Sequence, residues 1–246
     1  MMRMVFSGKK AAILLLAVLL CMSADMPVSA QVTDFAARYM KNKFTGEARE
    51  YHQNGQLKEV GTFQDGVQEG RHQAYYENGD KKFEKYYKEG KMHGRYKEYY
   101  ERDRLKEEGR YDNGEPVGAH KGYYESGRLQ FERNYREGKL NGMMREYYDN
   151  SKVKTEGAYK EGTPDGIHRG YYETGRIKSV YSYKDGKFDG LSREYHENGR
   201  IKMEGTLHED MLTGTVREYF ENGSLKKEEN YSVGVEPPRK EGAGPF

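Results

Sequence analysis

The feature that most constrains this chain is a fixed 24-residue spacing of glycines. Gly46, Gly70, Gly94, Gly118, Gly142, Gly166, Gly190 and Gly214 open eight consecutive units with no insertion between them. Five residues on, each unit has a tyrosine: Tyr51, Tyr75, Tyr99, Tyr123, Tyr147, Tyr171, Tyr195 and Tyr219. The next residue is aromatic or His, from His52 and Tyr76 to His196 and Phe220. A turn glycine follows in most units, often after asparagine, as in Asn54-Gly55 and Asn198-Gly199. A second turn glycine closes seven units, among them Gly66 and Gly186. A period of this length means a tandem array in which each unit is one supersecondary element resting on its neighbours.

Two short Tyr-rich runs per unit, each ended by glycine, read as two strands and two turns. The glycines count against a helix, because each would cost roughly 1 kcal/mol in a helix interior. Asn-Gly is expected to be a two-residue hairpin turn with both residues at positive φ. The second connection, such as Asp185 to Gly190, is expected to be longer. This choice sets a register that places His52 opposite Leu57 and Arg49 opposite Val60. It also places Lys97 opposite Glu108, Lys121 opposite Glu132, Arg145 opposite Glu156, Arg193 opposite Glu204 and Arg217 opposite Glu228. Such pairs stabilise a strand pair by roughly 0.2–1 kcal/mol each.

A pattern of two units is superimposed. Gly61, Gly109, Gly157 and Gly205 sit in odd copies, where even copies have Lys85, Arg133, Tyr181 and Glu229. In the expected register Ala74 faces Phe83 and Gly122 faces Phe131, a ring over a small residue. Gly170 faces Ser179, so this compensation accounts for only part of the alternation.

The unit Glu-Tyr-Tyr-Glu-Asn-Gly-x-Leu-Lys-x-Glu-Gly-x-Tyr-x-x-Gly resembles the MORN repeat in its bacterial variant. Chains of this pattern resemble those grouped as YwqK-family antitoxins. The resemblance covers residues 46–231 and implies a MORN-type array with a scaffolding, membrane-contact or antitoxin role. The expected fold is all-β: an elongated single-layer antiparallel sheet of eight tandem β-hairpin repeats. Composition agrees, with 35% hydrophobic residues, 33% charged residues and 23 tyrosines. So few aliphatics cannot fill a two-layer core, but tyrosine rings can cover a thin sheet and keep their hydroxyls wet. Sixteen strands would span roughly 75 Å before twist.

Residues 1–30 read as a secretory signal peptide. Arg3, Lys9 and Lys10 precede the short apolar run Ala11 to Met22, and Val28-Ser29-Ala30 supplies the cleavage pattern. Export to the periplasm or beyond is therefore expected, with cleavage near Ala30. A lipid anchor on Cys21 is the less favoured reading, since Leu20 is too large for the usual motif. Residues 31–45 read as an N-terminal capping segment, with Phe35, Ala36, Tyr39, Met40 and Phe44 at helical spacing over the first open edge. Residues 232–246, with Pro237-Pro238, read as a flexible tail.

Loss of Arg3, Lys9, Lys10 and Asp25 leaves the processed chain formally neutral. That argues against nucleic acid, whose binding rests on neutralised phosphates. It also argues against anionic membranes, which attract basic clusters. No nucleotide, zinc-protease or nucleophile-elbow motif is present. His72, His120 and His168 recur every second unit, roughly 19 Å apart. That is too far for shared metal ligation, so no metal or cofactor is expected.

The many glutamates repeat with the unit and face cations, whereas a catalytic pair should break the repeat. The expectation is a non-enzymatic protein that binds a protein partner along one sheet face through many equivalent shallow sites. The tyrosine column Tyr51 to Tyr219 is the candidate contact or packing surface. The alternatives are an antitoxin that captures a cognate toxin, and attachment to envelope lipid or cell-wall glycan.

Overall fold

In the computed structural model, which describes residues 34–41 and 43–235, the repeats form one antiparallel sheet of 19 strands. In copy 1 the first strand is Gly46–Tyr51 (β1) and the second Leu57–Gln64 (β2). The chain then turns into Val67–Tyr75 (β3), the first strand of copy 2, and the pattern continues to Leu225–Val235. In copies 5 to 7 the entry is a separate two-residue segment: Lys139–Leu140, Thr163–Pro164 and Lys187–Phe188. Extensive strand contacts are confined to hydrogen-bonded neighbours, so the array is quasi-one-dimensional.

The register follows the charges. Arg49 stands opposite Val60, and the five predicted pairs from Lys97–Glu108 to Arg217–Glu228 are in place. The turns, however, exchange roles. His52 does not face Leu57; Tyr51 does, and Lys58 is an extra residue on its strand. The His52 N–H donates to the Gln56 carbonyl at 2.8 Å, closing a three-residue loop in which Gly55 alone has positive φ, 83°. A tight turn followed by a left-handed residue shifts pairing by one, and the bulge at Lys58 cancels that shift.

Asparagine serves here through its side chain. Asn54 Oδ1 accepts the Gln56 N–H at 3.0 Å, and Nδ2 donates to the Glu77 carbonyl of the next copy at 2.7 Å. The two-residue turn with both residues at positive φ lies at the second connection instead. Asp65 (51°) and Gly66 (81°) join Gln64 directly to Val67. The remaining length there is taken up beside the opening glycine, since Thr62 pairs with Glu69 and Gly61 with His72.

One face of the sheet is dry and forms the packed face. Phe63, Tyr96, Leu207 and Leu212 are buried there. The two-copy alternation is a packing device on this face. A Cβ on Gly109 would meet the His120 ring at 2.4 Å, and one on Gly157 the His168 ring at 2.2 Å. Gly61 and Gly205 stand in the same relation to His72 and Val216, at 3.1 and 3.0 Å. Strands lie only about 4.8 Å apart, so a ring on every strand would crowd. A missing side chain on every fourth strand gives the imidazole its place. The expected ring over Gly122 is also present, with Phe131 at 2.1 Å from a Cβ placed there.

A helix forms at Asp34–Met40 (α1). It lies on the packed face of the first copies, where a cap over the sheet edge was expected. Phe35 stacks on His72 at 5.3 Å and meets Phe63 at 5.8 Å, and Phe35 and Ala36 are buried. Apolar side chains need a dry surface, and a strand edge offers mainly backbone polar groups. At the other end the last strand runs past Tyr231, with Val235 opposite Leu212. The expected signal peptide, Cys21 and the tail beyond residue 235 lie outside the described residues.

Candidate partner-binding face

The opposite face carries a row of charges and forms the open face. Side chains alternate along a strand, so Arg49 and Tyr51 share this face while Ala48 and Glu50 point to the other. One row crosses the whole sheet through successive pairings: Glu84 to Lys97, Lys97 to Glu108, Glu108 to Lys121, Lys121 to Glu132, Glu132 to Arg145, and Arg145 to Glu156. It continues through Arg169, Val180 and Arg193 to Glu204, Arg217 and Glu228. The ion pairs are close, with Arg193 to Glu204 at 3.1 Å and Arg217 to Glu228 at 2.7 Å. Most are half-exposed, so each adds little stability and the row acts chiefly as an ordered charge pattern.

The candidate tyrosines Tyr51, Tyr75, Tyr99, Tyr123, Tyr147, Tyr171, Tyr195 and Tyr219 end the first strands on this face. Tyr51 is 57% exposed and the other seven are half-buried. Four of their hydroxyls reach back to the charge row of the preceding copy. Tyr123 donates to Glu108 at 2.9 Å, Tyr147 to Glu132 at 3.0 Å, Tyr171 to Glu156 at 2.8 Å and Tyr219 to Glu204 at 3.2 Å. Burial, then the Glu108 carboxylate, push the Tyr123 hydroxyl up to about 12. Burial alone would raise the Glu156 carboxyl, but Tyr171, Arg145 and Arg169 hold it below the usual carboxylate range. The column is thus a row of partly open rings, with the hydroxyls of Tyr123, Tyr147, Tyr171 and Tyr219 fixed on carboxylates.

The adjacent aromatic position does different work, which the repeat pattern alone did not reveal. The hydroxyls of Tyr76, Tyr100, Tyr124, Tyr148 and Tyr172 donate to the carbonyls of Tyr99, Tyr123, Tyr147, Tyr171 and Tyr195 in the next copy. His52 and His196 reach the Tyr75 and Tyr219 carbonyls through Nε2 at 3.0 and 2.9 Å. In the last copy, with no following hairpin among the described residues, this position is Phe220. The constant spacing was visible, but the need for a polar tip on the ring was the signal to use.

His72, His120 and His168 are buried on the packed face. His168 Nε2 donates to the Ala158 carbonyl at 2.8 Å, and burial lowers its pKa from the ordinary histidine value. His72 sits 2.8 Å from Glu59. Among the described residues no group of three or more His, Cys, Asp or Glu is placed to hold a metal ion. Among them, too, no helix is long and apolar enough to cross a membrane.

No curated protein matches the chain. Among solved structures it is similar to a chain of "Crystal Structure of TcdB2-TccC3-Cdc42", at 12% identity and a TM-score of 0.20. That match covers 73% of this chain and 13% of the other, and a score so low carries no argument about fold or function. The family comparison is of another order. The MORN repeat variant matches at residues 44–65, 68–89, 92–113, 116–137, 140–161, 164–185, 188–208 and 212–232. Each match spans one hairpin, and together they make this chain a member of the MORN repeat variant family.

Proposed function

We propose that this protein is an exported, non-enzymatic scaffold that binds a partner protein across the open face of its sheet. The observation that carries the reading is the open face itself. It repeats tyrosine, arginine or lysine, and glutamate in fixed geometry over the array, and nothing among the described residues covers it. Tyrosine and arginine are the residues that most often anchor interfaces. An extended surface of equivalent units suits an extended partner. The titratable groups of this face are engaged with one another in a repeating ladder, which favours recognition over catalysis.

The test is affinity capture from envelope extract with the processed chain, residues 31–246, as bait. A protein retained by the full array and lost on charge reversal of the open face supports the reading. Capture that survives such reversal sinks it. The likeness to YwqK-family antitoxins motivates a second reading, capture of one toxin, which predicts growth rescue when both are co-expressed. Attachment to the envelope predicts co-sedimentation with liposomes or peptidoglycan in the absence of any protein.

A further inference from the structure

The eight copies are not equivalent on the open face. From Glu84 to Glu228 the charge row alternates cation and carboxylate except at Val180, which stands directly between Arg169 and Arg193. Elsewhere in this run a cation has a carboxylate on both neighbouring strands, as Arg145 has Glu132 and Glu156. Arg169 has Glu156 on one side at 3.8 Å, and Arg193 has Glu204 on the other at 3.1 Å. The gap extends to the tyrosines. Tyr171 and Tyr219 donate to Glu156 and Glu204, while the counterpart for Tyr195 is Val180, which has no oxygen to accept.

Copy 1 shows how the chain fills such a gap when it does so itself. Val60 faces Arg49 there, but Glu47, two residues back, binds Arg49 at 2.6 Å. In copies 6 and 7 the position of Glu47 is taken by Ile167 and Leu191, which are 47% and 44% exposed. Met143 in copy 5 and Ile177 in copy 6 are exposed as well. The missing carboxylate and the bare aliphatic side chains therefore fall on one patch.

Given that the open face binds a protein, the reading on which this site rests, the geometry points to docking of an amphipathic helix of another protein on this patch. A carboxylate of that helix fills the place between Arg169 and Arg193. Spacing selects a helix. Met143, Ile167 and Leu191 lie on alternate strands of the array, roughly 9.6 Å apart. A helix covers that distance in about six to seven residues at 1.5 Å each, so its anchors return to the same side after two turns. An extended chain covers it in about three residues, and its alternation would turn every second anchor away. The charge is selected by the row, in which two guanidinium groups flank a site with no acid. Exposed aliphatics beside arginine and tyrosine have the make-up of an interface centre.

The test is selection of a helical-peptide display library against the full chain, run in parallel against Val180→Glu. That variant closes the row from within and should fold as the parent does, since every other row position in this run is charged. Peptides enriched on the parent chain should carry apolar residues at heptad spacing with Asp or Glu beside the stripe. They should bind Val180→Glu, and the double variant Arg169→Gln with Arg193→Gln, about tenfold or more weakly. Enriched peptides that bind all three chains equally, peptides with Lys or Arg beside the stripe, or no enrichment at all would overturn the proposal. A natural partner captured equally by the parent and Val180→Glu removes this site and leaves the face-binding reading intact. Failure to capture any partner removes that reading itself.

Discussion

At the scale of single residues, the packed face is governed by which strands can carry a ring. Gly157 has no positive φ, so a side chain there is opposed first by the His168 ring, 2.2 Å from the added Cβ. Gly157→Ala should destabilise by roughly 1–3 kcal/mol, the usual cost of overpacking. Gly61→Ala, with His72 at 3.1 Å, should cost less. Pairing Gly157→Ala with His168→Ala should recover part of the loss, and urea unfolding of the four chains measures the coupling. His168 also sets a pH response. Its Nδ1 has no hydrogen-bond partner and faces the dry strand, and burial holds the ring neutral by lowering its pKa. The unfolded chain then binds this proton more readily than the folded one. The neutral ring's contribution is present above the unfolded value of 6.5 and is lost as the pH falls below it. Unfolding midpoints measured on both sides of that value should fall toward acid, and less steeply in His168→Phe.

At the scale of the hairpin, register was legible in the sequence and turn type was not. The cross-strand pairs Arg145–Glu156 and Arg193–Glu204 fix the register, because opposite charges are readable without knowing the loop. The Asn-Gly signal misled because asparagine has two uses in a loop. It tolerates positive φ, and it also bonds neighbouring backbone through its amide; Asn54 does the second. The bulge at Lys58 that restores the register leaves no mark of its own in the sequence. The tyrosine column was legible as a column, whereas the gap at Val180 becomes visible only once the register is carried across all copies. The loop geometry makes a prediction in copy 5, where Ser151, at φ 66°, occupies the left-handed position that Asp103 holds in copy 3 and glycine in the other six copies. Ser151→Gly should stabilise by about 1 kcal/mol, the cost of that conformation for an ordinary residue. The link between hairpins gives another. Tyr148→Phe removes the bond to the Tyr171 carbonyl, 2.8 Å in the parent chain. The loss should be about 1 kcal/mol, while Phe220→Tyr, with no further hairpin to reach among the described residues, should change stability by only a few tenths. Denaturant midpoints for the three variants decide both.

At the scale of the whole molecule, the two faces repeat with different periods, and deletions can separate them. The open face repeats every copy: Glu84 would stand opposite Lys121 if copy 3 were removed, and opposite Arg145 if copies 3 and 4 were removed. Either deletion keeps a cation against the acid. The packed face repeats every second copy. Removing residues 94–117 takes away Gly109 and brings His120 against the strand of Lys85, whose side chain already lies over the Phe83 ring at 4.3 Å. Removing residues 94–141 brings Met144 to that strand and keeps Gly157 beneath His168. Both deletions shorten a quasi-one-dimensional array, so both should lower the denaturant slope in proportion to the surface lost. Only the single-copy deletion should lose a further 1–3 kcal/mol or so from an imidazole placed over a side chain instead of a glycine. The shorter chain, with an even number of copies, should therefore be the more stable of the two for its length. If stability tracks length alone across the parent and both deletions, the pairing of glycine with histidine does not organise the packed face.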